Sequence, residues 1–239
     1  MEGFILAAGL GTRLRPLTND RPKALVEVGG VTLLERTLRR LEEAGVEHIV
    51  VNVHHFADQV IDFVGSHRWQ AEVEISDERD LLLDTGGGLK RAARLFRGSD
   101  DILIHNVDVL SDIDLRAVEA QHRSEGNLAT LCVSRRDTKR LLEFDDNGLL
   151  LNRADSSHLP DAHEGRPLPS HLAFSGIAVV SPELPSLLPE ADQPYPIVDQ
   201  YIALAHQGRR IGSYLHRAEQ WLDVGKPETL ALAESRFKL

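Results

Sequence analysis

Short apolar segments alternate with segments of helical periodicity over the first half of this chain, and this alternation restricts the possible folds more than any other feature. Residues 4–8 form an apolar run that predicts a buried strand, and residues 33–44 repeat apolar side chains at helical spacing before Gly45. Strands that alternate with helices through short connections are typical of a mostly parallel sheet with helices on both faces. We therefore predict an α/β fold with a Rossmann-like, doubly wound, mostly parallel but mixed sheet. The further strands and helices predicted in this half span residues 48–53, 57–64, 72–75, 89–96 and 101–108.

The pattern changes after about residue 127, where strands follow one another with fewer helices between them. Asn147-Gly148 lies between two apolar runs and predicts a hairpin turn. Residues 152–171 hold three prolines among polar residues and predict a long loop. Since no repeat or low-complexity segment divides the chain, residues 1–239 are predicted to form a single domain. The strands and helices predicted in this half span residues 128–135, 141–144, 174–180, 198–206, 211–215 and 227–236.

The charge balance and the cysteine content exclude several classes of protein. The chain has 27 Lys and Arg against 37 Asp and Glu, a net charge of −10, whereas nucleic-acid-binding modules usually carry a basic excess. The single cysteine, Cys132, excludes an internal disulfide framework, and its apolar neighbours predict a buried side chain. The apolar residues 4–8 are too few for a signal peptide or a membrane span. We expect a cytoplasmic enzyme without nucleic-acid or membrane partners. Its oligomeric state is not predicted, because apolar helix stripes serve a core and an interface equally.

The histidines do not predict a metal site. His54 and His55 are adjacent at a predicted strand end and point apart, and His158, His163 and His171 lack the spacing of metal ligands. The two tryptophans are predicted to belong to the core or to a pocket wall: Trp69 and Trp221.

The segment from residue 6 to residue 18 carries the strongest chemical signal. A buried strand leads into the small residues Ala7, Ala8 and Gly9, so the backbone can approach a ligand closely. Successive N–H groups in such a turn form a concavity that binds anions. Arg13, Arg15 and Lys23 then supply three cations within eleven residues. This combination predicts a triphosphate site.

Two other phosphate-binding patterns fit this segment less well. The dinucleotide fingerprint requires a third glycine where the chain has Leu14, and no helix is predicted before Pro16. The spacing of a G-x-x-x-x-G-K-[ST] phosphate loop is absent. An ordinary strand and turn with surface arginines remains an alternative.

Four further motifs follow in the chain, and their order and identity carry a resemblance. They are Asp84-Thr-Gly-Gly-Gly88, Asn106-Val-Asp108, Phe174-Ser-Gly-Ile177 and Trp221-Leu-Asp-Val-Gly-Lys-Pro-Glu228. Together with the segment at residues 6–25, they resemble the sugar-1-phosphate nucleotidyltransferases, also called nucleoside-diphosphate-sugar pyrophosphorylases. The resemblance covers nearly the whole chain. It implies a nucleotidyltransferase fold of the glycosyltransferase A type, with residues 1–127 binding the nucleotide and residues 128–239 binding the sugar and supplying a second metal ligand.

The resemblance also implies a reaction and a set of site residues. A nucleoside triphosphate would transfer its nucleotidyl group to a sugar 1-phosphate, with Mg²⁺ held by Asp108 and Asp223. Arg13, Lys23 and Asp108 would be the catalytic residues, with Arg13 neutralising the β- and γ-phosphates and Lys23 reaching the α-phosphate. Ser175, Gly176 and Asp199 would contact the sugar. The residues implied to bind the nucleotide are Leu6, Ala7, Ala8, Gly9, Gly11, Thr12, Arg13, Lys23, Asp84, Gly86 and Gly87.

Within the family, the chain looks most like the N-acetylmuramic acid 1-phosphate uridylyltransferases of cell-wall recycling, and its short length favours that branch. Mannose- or heptose-1-phosphate guanylyltransferases are the alternative. A catalytically silent homologue that only binds nucleotide, and a nicotinamide-dependent dehydrogenase, represent other classes.

The chain departs from the family's usual residues at three places. Val107 stands where a glycine is usual, residues 77–80 replace a stretch that often holds a base-reading Gln, and residues 152–155 replace a Glu-Lys-Pro segment. These departures leave the base and the sugar unassigned by sequence.

Overall fold

The computed structural model describes residues 1–154 and 170–236. The strands are β1 Glu2–Leu6, β2 Glu27–Val28, β3 Val31–Thr32, β4 His48–Val53, β5 Glu72–Asp77, β6 Ile102–Asn106, β7 Val109–Ser111, β8 Ala129–Ser134, β9 Leu142–Phe144, β10 Leu150–Arg153, β11 Ser170–Val180, β12 Ile211–Leu215 and β13 Trp221–Asp223. The helices are α1 Leu33–Glu43, α2 Ala57–Ser66, α3 Asp84–Ala92, α4 Leu115–Glu125, α5 Leu184–Leu187, α6 Ile197–His206 and α7 Pro227–Arg236.

The central sheet has nine strands and is mixed, as the sequence predicts. Its main path runs β10-β9-β11-β6-β1-β4-β5, and β8 joins β11 to β12. The pairs β1–β4, β1–β6, β4–β5 and β8–β12 are parallel. β11 runs antiparallel to β6, β8 and β9, so it links the parallel half to the later strands. The predicted α/β fold is confirmed.

Both faces of the sheet are buried, because alternate residues of a strand point to opposite faces. In β1, Ile5 belongs to a core cluster that includes residues of α1 and α2, whereas Phe4 belongs to a second cluster that includes residues of α3 and α6. Helices therefore cover the sheet on both sides, which is the doubly wound arrangement.

Several element boundaries differ from those predicted. The strand predicted at residues 101–108 ends at Asn106, and Asp108 lies in the turn that leads to β7. The helix predicted from residue 89 begins at Asp84, so the three glycines of that motif lie inside α3. The last long strand begins at Ser170 instead of residue 174, because its first residues pair with β9.

The sequence analysis missed α4, although the local signals for a helix are present. The Asp114 side chain accepts hydrogen bonds from the backbone N–H groups of Arg116 and Ala117, which caps the first turn. Gly126 ends the helix in the left-handed conformation at φ 62°. Between these caps the buried face is narrow, so the apolar periodicity is weak.

The hairpin predicted at Asn147-Gly148 is confirmed by the antiparallel pairing of β9 and β10. Only the ends of the predicted loop at residues 152–171 are described, and its prolines Pro160, Pro167 and Pro169 lie outside the described residues. His158 and His163 also lie there, whereas His171 is on β11 opposite Glu143.

Three further expectations concern the cysteine, membrane-spanning helices and the number of domains. Cys132 is fully buried, as predicted, and burial raises the pKa of its thiol. Of the helices in the described parts of the chain, none combines the length and apolar character needed to cross a bilayer. The division into one domain stays a prediction.

Candidate active site

A cavity of about 420 Å³ opens at the carboxyl ends of the parallel strands β1, β4 and β6. Ligands of α/β sheets bind at this edge, where loops from neighbouring strands converge. Val107, the departure from the family pattern, is part of the cavity wall, and so is Glu78 from the stretch at residues 77–80. The predicted site residues that line the cavity are Leu6, Ala7, Ala8, Gly9, Lys23, Asp84 and Asp108.

A buried amide and carboxylate hold the loop after β1. Asn52 Oδ1 accepts hydrogen bonds from the N–H groups of Ala7 and Ala8, at 2.7 and 3.1 Å. Asn52 Nδ2 donates to Glu78 Oε1 at 2.7 Å, and Glu78 Oε2 accepts from the Leu83 N–H at 3.3 Å. Burial raises the pKa of the Glu78 carboxyl. Two of the N–H groups that the sequence offered for an anion are therefore used within the protein.

Gly9 and Gly11 have different reasons to be glycine. No described atom lies within 4 Å of the position that a Cβ on Gly9 would take, so Gly9 leaves open space in the cavity wall. Gly11 adopts φ +65°, and a Cβ there would lie 3.0 Å from Lys23 Cβ and 3.1 Å from Thr18 Cγ2. Gly11 therefore allows the close approach of Lys23 to the loop.

Two of the predicted cationic residues and the two aspartates predicted to bind metal lie together beside the cavity. Lys23 Nζ donates to Asp108 Oδ2, and both side chains are largely buried. Arg13 Nη2 lies 4.0 Å from Asp108 Oδ2 and 3.9 Å from Asp223 Oδ2. We call Arg13, Lys23, Asp108 and Asp223 the charge cluster; its formal charges cancel.

Strand pairing explains how acids from distant parts of the chain meet. β13 pairs with β7 so that Asp223 lies opposite Val109, next to Asp108. The Val224 N–H donates to the Asp108 carbonyl at 2.9 Å. A Cβ on Gly225 would lie 2.6 Å from Arg13 Nη2, so the glycine of this motif makes room for the guanidinium.

The donor set of the charge cluster fits Mg²⁺. The carboxylates of Asp108 and Asp223 both lie about 4 Å from Arg13 Nη2. Within the described residues, no group of three or more His, Cys, Asp or Glu side chains forms a metal site, so the protein itself offers two ligands here. Magnesium is usually held by one or two carboxylates together with substrate phosphates, and these are hard oxygen ligands. Asp108 and Asp223 are the residues that would hold the ion.

The start of α3 forms another part of the cavity wall. Asp84 and Thr85 line the cavity, and Asp84 adopts φ +58°, a left-handed conformation that is uncommon for residues other than glycine. The predicted residues Gly86 and Gly87 do not line the cavity. A Cβ on Gly86 would lie 2.5 Å from the ring of Tyr195, so packing within the protein explains this glycine.

The sugar-side residues predicted from β11 lie next to this cavity. Gly176 adopts φ +72°, and a Cβ there would lie 2.5 Å from Nδ2 of Asn106, a cavity-lining residue. Ser175 is 1% exposed, and its Oγ is 2.7 Å from His216 Nε2 and 3.2 Å from Arg136 Nη1. The Ser175 hydroxyl is thus engaged inside the protein.

Arg136 and Trp221 complete this side of the site. The Arg136 guanidinium stacks on the Trp221 ring with Cζ 3.6 Å from the ring centroid. Trp221 Nε1 donates to the Ser175 carbonyl at 2.7 Å. Trp221 and Trp69 are both partly buried and pack against the core cluster that contains Ile5, so the core position predicted for them is confirmed.

Asp199 lies farther along the chain, in the first turn of α6. It is exposed and pairs with Arg153, whose Nη2 is 2.5 Å from Asp199 Oδ1. Arg153 is the last residue of β10 and immediately precedes the end of the first described range. Asp199 therefore pairs with Arg153 and does not line the cavity.

Three residues at or beside the candidate site were not predicted from the sequence: Asn52, Arg136 and His216. Asn52 follows the apolar run of residues 49–51 in β4, and a buried polar residue in a strand is a signal that a hydrogen-bonding role exists. Arg136 and His216 follow the ends of β8 and β12 and carry no comparable local signal. Thr12 and Arg13 form a short 3-10 helix with Leu14, where no helix was predicted.

Comparison with known proteins gives consistent results. The family model described as "Nucleotidyl transferase" matches residues 2–148, which is more than half of the chain. An N-acetylmuramate alpha-1-phosphate uridylyltransferase from Caulobacter vibrioides is 38% identical over 98% of this chain and 96% of its own length. A mannose-1-phosphate guanyltransferase from Debaryomyces hansenii is 27% identical over 95% of this chain and 62% of its own length.

A solved structure shares the fold. HddC from Yersinia pseudotuberculosis, crystallised in complex with GMP-PN, superposes with a TM-score of 0.77 at 23% sequence identity and 99% coverage of both chains. The mixed sheet and its covering helices are therefore an arrangement that a nucleotide-binding protein also adopts.

Proposed function

Because this chain belongs to the nucleotidyl transferase family and acts as a sugar-1-phosphate nucleotidyltransferase, we propose that its substrates are UTP and N-acetylmuramate 1-phosphate and that it depends on Mg²⁺. The observation that carries the geometric part is the charge cluster beside a nucleotide-sized cavity. The name and the 38% identity of the Caulobacter relative support the choice of substrates.

The reaction needs no general base. A phosphate monoester has its second pKa near about 6, so an oxygen of the sugar phosphate is already ionised at neutral pH. This oxygen forms a bond to the α-phosphorus of UTP, and the bond between the α-phosphorus and the bridging oxygen breaks. The electron pair leaves with pyrophosphate. Catalysis therefore consists of positioning the two phosphates and stabilising negative charge.

The charge cluster supplies both functions. Lys23 contacts Asp108 and lines the cavity, where its remaining N–H groups would bind the α-phosphate. Arg13, whose side chain is half exposed, would neutralise the β- and γ-phosphates and stabilise the leaving pyrophosphate. Mg²⁺ held by Asp108 and Asp223 would neutralise charge on the phosphoryl oxygens during transfer.

A guanylyltransferase is the second candidate. The relative from Debaryomyces is named a mannose-1-phosphate guanyltransferase, and HddC was crystallised with GMP-PN. Glu78 is the cavity-lining residue in the stretch where the family often reads the base, and both of its carboxylate oxygens accept hydrogen bonds from the protein. Base selection therefore needs a direct measurement.

The proposed reaction converts a sugar phosphate derived from muramate into an activated nucleotide sugar. We propose that this reaction takes place in the cytoplasm and serves the reuse of cell-wall muramate; the name of the Caulobacter relative supports the muramate substrate.

The test is pyrophosphate release over a grid of UTP, GTP, CTP and dTTP against N-acetylmuramate, N-acetylglucosamine, glucose, mannose and heptose 1-phosphates. Each combination is measured with Mg²⁺ and with chelator. We expect the strongest signal with UTP and N-acetylmuramate 1-phosphate and its loss on chelation. A maximum with GTP and mannose or heptose 1-phosphate would establish the second candidate. Silence in every combination by a folded protein would favour a nucleotide-binding homologue without turnover.

A further inference from the structure

Arg136 presents a half-buried positive charge that has only neutral hydrogen-bond partners in the described structure. Its Nη1 donates to Ser175 Oγ at 3.2 Å, and its Nη2 donates to the Phe174 carbonyl at 2.8 Å. One face of the guanidinium is covered by the Trp221 ring. These contacts fix the position of the guanidinium without cancelling its charge.

Within the described residues, no carboxylate forms an ion pair with Arg136. Burial lowers the pKa of its guanidinium to about 10, and the charge of Asp223 opposes this from a longer distance. The group therefore remains charged at neutral pH. A partly buried charge is unfavourable unless an opposite charge or hydrogen bonds compensate for the lost water, so this position favours an anion.

The hydrogen-bond chain behind Arg136 has a defined direction. His216 Nδ1 lies 2.9 Å from the Arg217 carbonyl, which can only accept, so Nδ1 carries the proton. Burial lowers the pKa of His216 and keeps the ring neutral, so Nε2 accepts from the Ser175 hydroxyl. Ser175 Oγ is thereby turned to accept from Arg136. The whole chain orients the guanidinium.

Arg136 keeps hydrogen-bonding capacity for a ligand. A guanidinium has five N–H groups, of which Arg136 uses two in the contacts described, so three remain. Trp221 and Asp223 are two residues apart on β13, so their side chains lie on the same face of that strand. The free N–H groups are therefore close to the proposed metal ligand and to the sugar-side strand β11.

We propose that Arg136 binds an anionic oxygen group of the sugar substrate. The inference rests on the proposed function, because it assumes that the sugar 1-phosphate binds beside β11. N-acetylmuramate 1-phosphate carries two such groups, the phosphate and the carboxylate of its lactyl ether. A planar guanidinium matches either group with paired hydrogen bonds.

The position of Trp221 under Arg136 provides a direct binding assay. The chain has two tryptophans, so the variant Trp69→Phe leaves Trp221 as the sole tryptophan reporter. Its fluorescence is titrated with three ligands in the presence of Mg²⁺ and a non-hydrolysable UTP analogue. N-acetylmuramate 1-phosphate carries both anions, N-acetylglucosamine 1-phosphate carries only the phosphate, and free N-acetylmuramate carries only the carboxylate.

Adding Arg136→Gln to this background is expected to weaken binding roughly ten- to a hundredfold, the range for loss of a charge-assisted hydrogen bond. If Arg136 binds the carboxylate, the two muramate ligands weaken and N-acetylglucosamine 1-phosphate does not. If it binds the phosphate, the two sugar phosphates weaken and free N-acetylmuramate does not. Unchanged dissociation constants for all three ligands, or a reference protein that binds none of them at millimolar concentration, would overturn the proposal.

Two further variants separate recognition from structure. Arg135 is the exposed neighbour, and Arg135→Gln is expected to bind like the reference protein. Arg136→Lys keeps the positive charge but lacks the planar guanidinium, so it should bind the ligands with intermediate affinity. This variant serves as the test if Arg136→Gln does not fold. In kinetics, Arg136→Gln should raise KM for the sugar phosphate and leave KM for the nucleotide unchanged. An equal rise in both values, with a lower melting temperature, would indicate a structural role only.

The outcome is separable from that of the proposed function. Binding that depends on Arg136 without pyrophosphate release from any nucleotide would leave the inference standing and remove the proposed reaction. Activity that does not change in the Arg136 variants would support the proposed reaction and overturn the inference about Arg136.

Discussion

At the scale of single residues, Asp108 and Asp223 each lie beside a cationic side chain of the protein. A bound metal ion would contact the same carboxylates as these cations. Lys23 contacts Asp108, and Arg13 lies within 4.0 Å of both acids. The two cations offset the negative charge of the two acids, and in the proposed reaction they would bind phosphate oxygens. The cluster is therefore a preorganised charge arrangement whose parts act together.

Replacing either acid by its amide tests the metal assignment. Asp108→Asn and Asp223→Asn are expected to lower turnover roughly a hundredfold or more, because several kcal/mol of charge stabilisation depend on the ion. They should also raise the Mg²⁺ concentration needed for half-maximal rate. The measurement is initial rate against Mg²⁺ concentration, with Asp112→Asn as an exposed-acid control on the same segment. If the dependence of the rate on Mg²⁺ concentration is unaltered in a variant, the aspartate replaced in it is not a metal ligand.

The buried pair Asn52 and Glu78 permits a reciprocal exchange. In Asn52→Asp, two carboxylates would meet where Nδ2 now donates to Glu78 at 2.7 Å, so the free energy of unfolding should fall by about 2–3 kcal/mol. In Asn52→Asp with Glu78→Gln, the glutamine amide can donate to the new aspartate while its oxygen still accepts from Leu83. The double variant should recover most of the loss, as measured by urea unfolding.

The same exchange has a catalytic readout. Because Asn52 holds the Ala7 and Ala8 backbone, KM for the nucleotide should rise in the single variant and return in the double one. Additive losses in the double variant would mean that the pair does not act as a unit.

At the scale of elements, α3 shows how a glycine-rich motif serves packing. Its first residues line the cavity, whereas Gly86 faces Tyr195, and the Gly86 N–H donates to the Tyr195 carbonyl at 3.0 Å. The Ile197 N–H at the start of α6 donates to Thr85 Oγ1 at 2.9 Å. The position of α3 is thus set by the segment that leads into α6.

A matched pair of helical glycines tests this account. Gly86→Ala would place a methyl group 2.5 Å from the Tyr195 ring, so it should cost about 1–3 kcal/mol of unfolding free energy and raise KM for the nucleotide. Gly65 lies in α2, and no described atom lies within 4 Å of its Cβ position. Gly65→Ala should therefore be neutral or stabilising by up to about 1 kcal/mol. Thermal and urea unfolding of both variants make the comparison, and equal effects would contradict it.

At the scale of the whole molecule, a histidine in the central sheet couples folding to pH. His105 lies in β6, is 1% exposed and donates from Nδ1 to the Asn106 carbonyl at 2.9 Å. The pKa of His105 is lowered to about 4, chiefly by burial and also by the charge of Arg40, while the hydrogen bond to the Asn106 carbonyl and the charge of Asp108 oppose the shift. Between this value and the ordinary value of about 6.5, the unfolded chain binds more protons than the folded one.

The sign of the pH effect follows directly. The contribution of a neutral His105 is present above about pH 6.5 and is lost as the pH falls towards 4, by about 3 kcal/mol in total. His105→Asn should therefore flatten the fall in unfolding free energy over this range, as measured by urea unfolding at several pH values. His55→Gln replaces an exposed histidine and should follow the unmodified protein. A His105 variant with the original slope would assign the acid sensitivity to other groups.

The sequence by itself determined the class of fold and the composition of the charge cluster. Alternating apolar and helical patterns require a sheet buried on both faces, because no other arrangement covers such strands. The small residues and cations after β1 predict a triphosphate site, and the resemblance of the later motifs to the nucleotidyltransferases implies the two acids. These features are local, and local periodicity and residue type are readable without coordinates.

Only the tertiary structure decided which groups are free to act. The N–H groups of Ala7 and Ala8 are taken by Asn52, a residue of the neighbouring strand. Gly86 faces Tyr195, which is more than a hundred residues away in the chain. The contacts of Arg136 with β11 and with Trp221 of β13 became visible only in the tertiary structure. The physical reason is the same in each case: hydrogen-bond satisfaction and charge compensation depend on partners that strand pairing brings together, and sequence distance does not encode them.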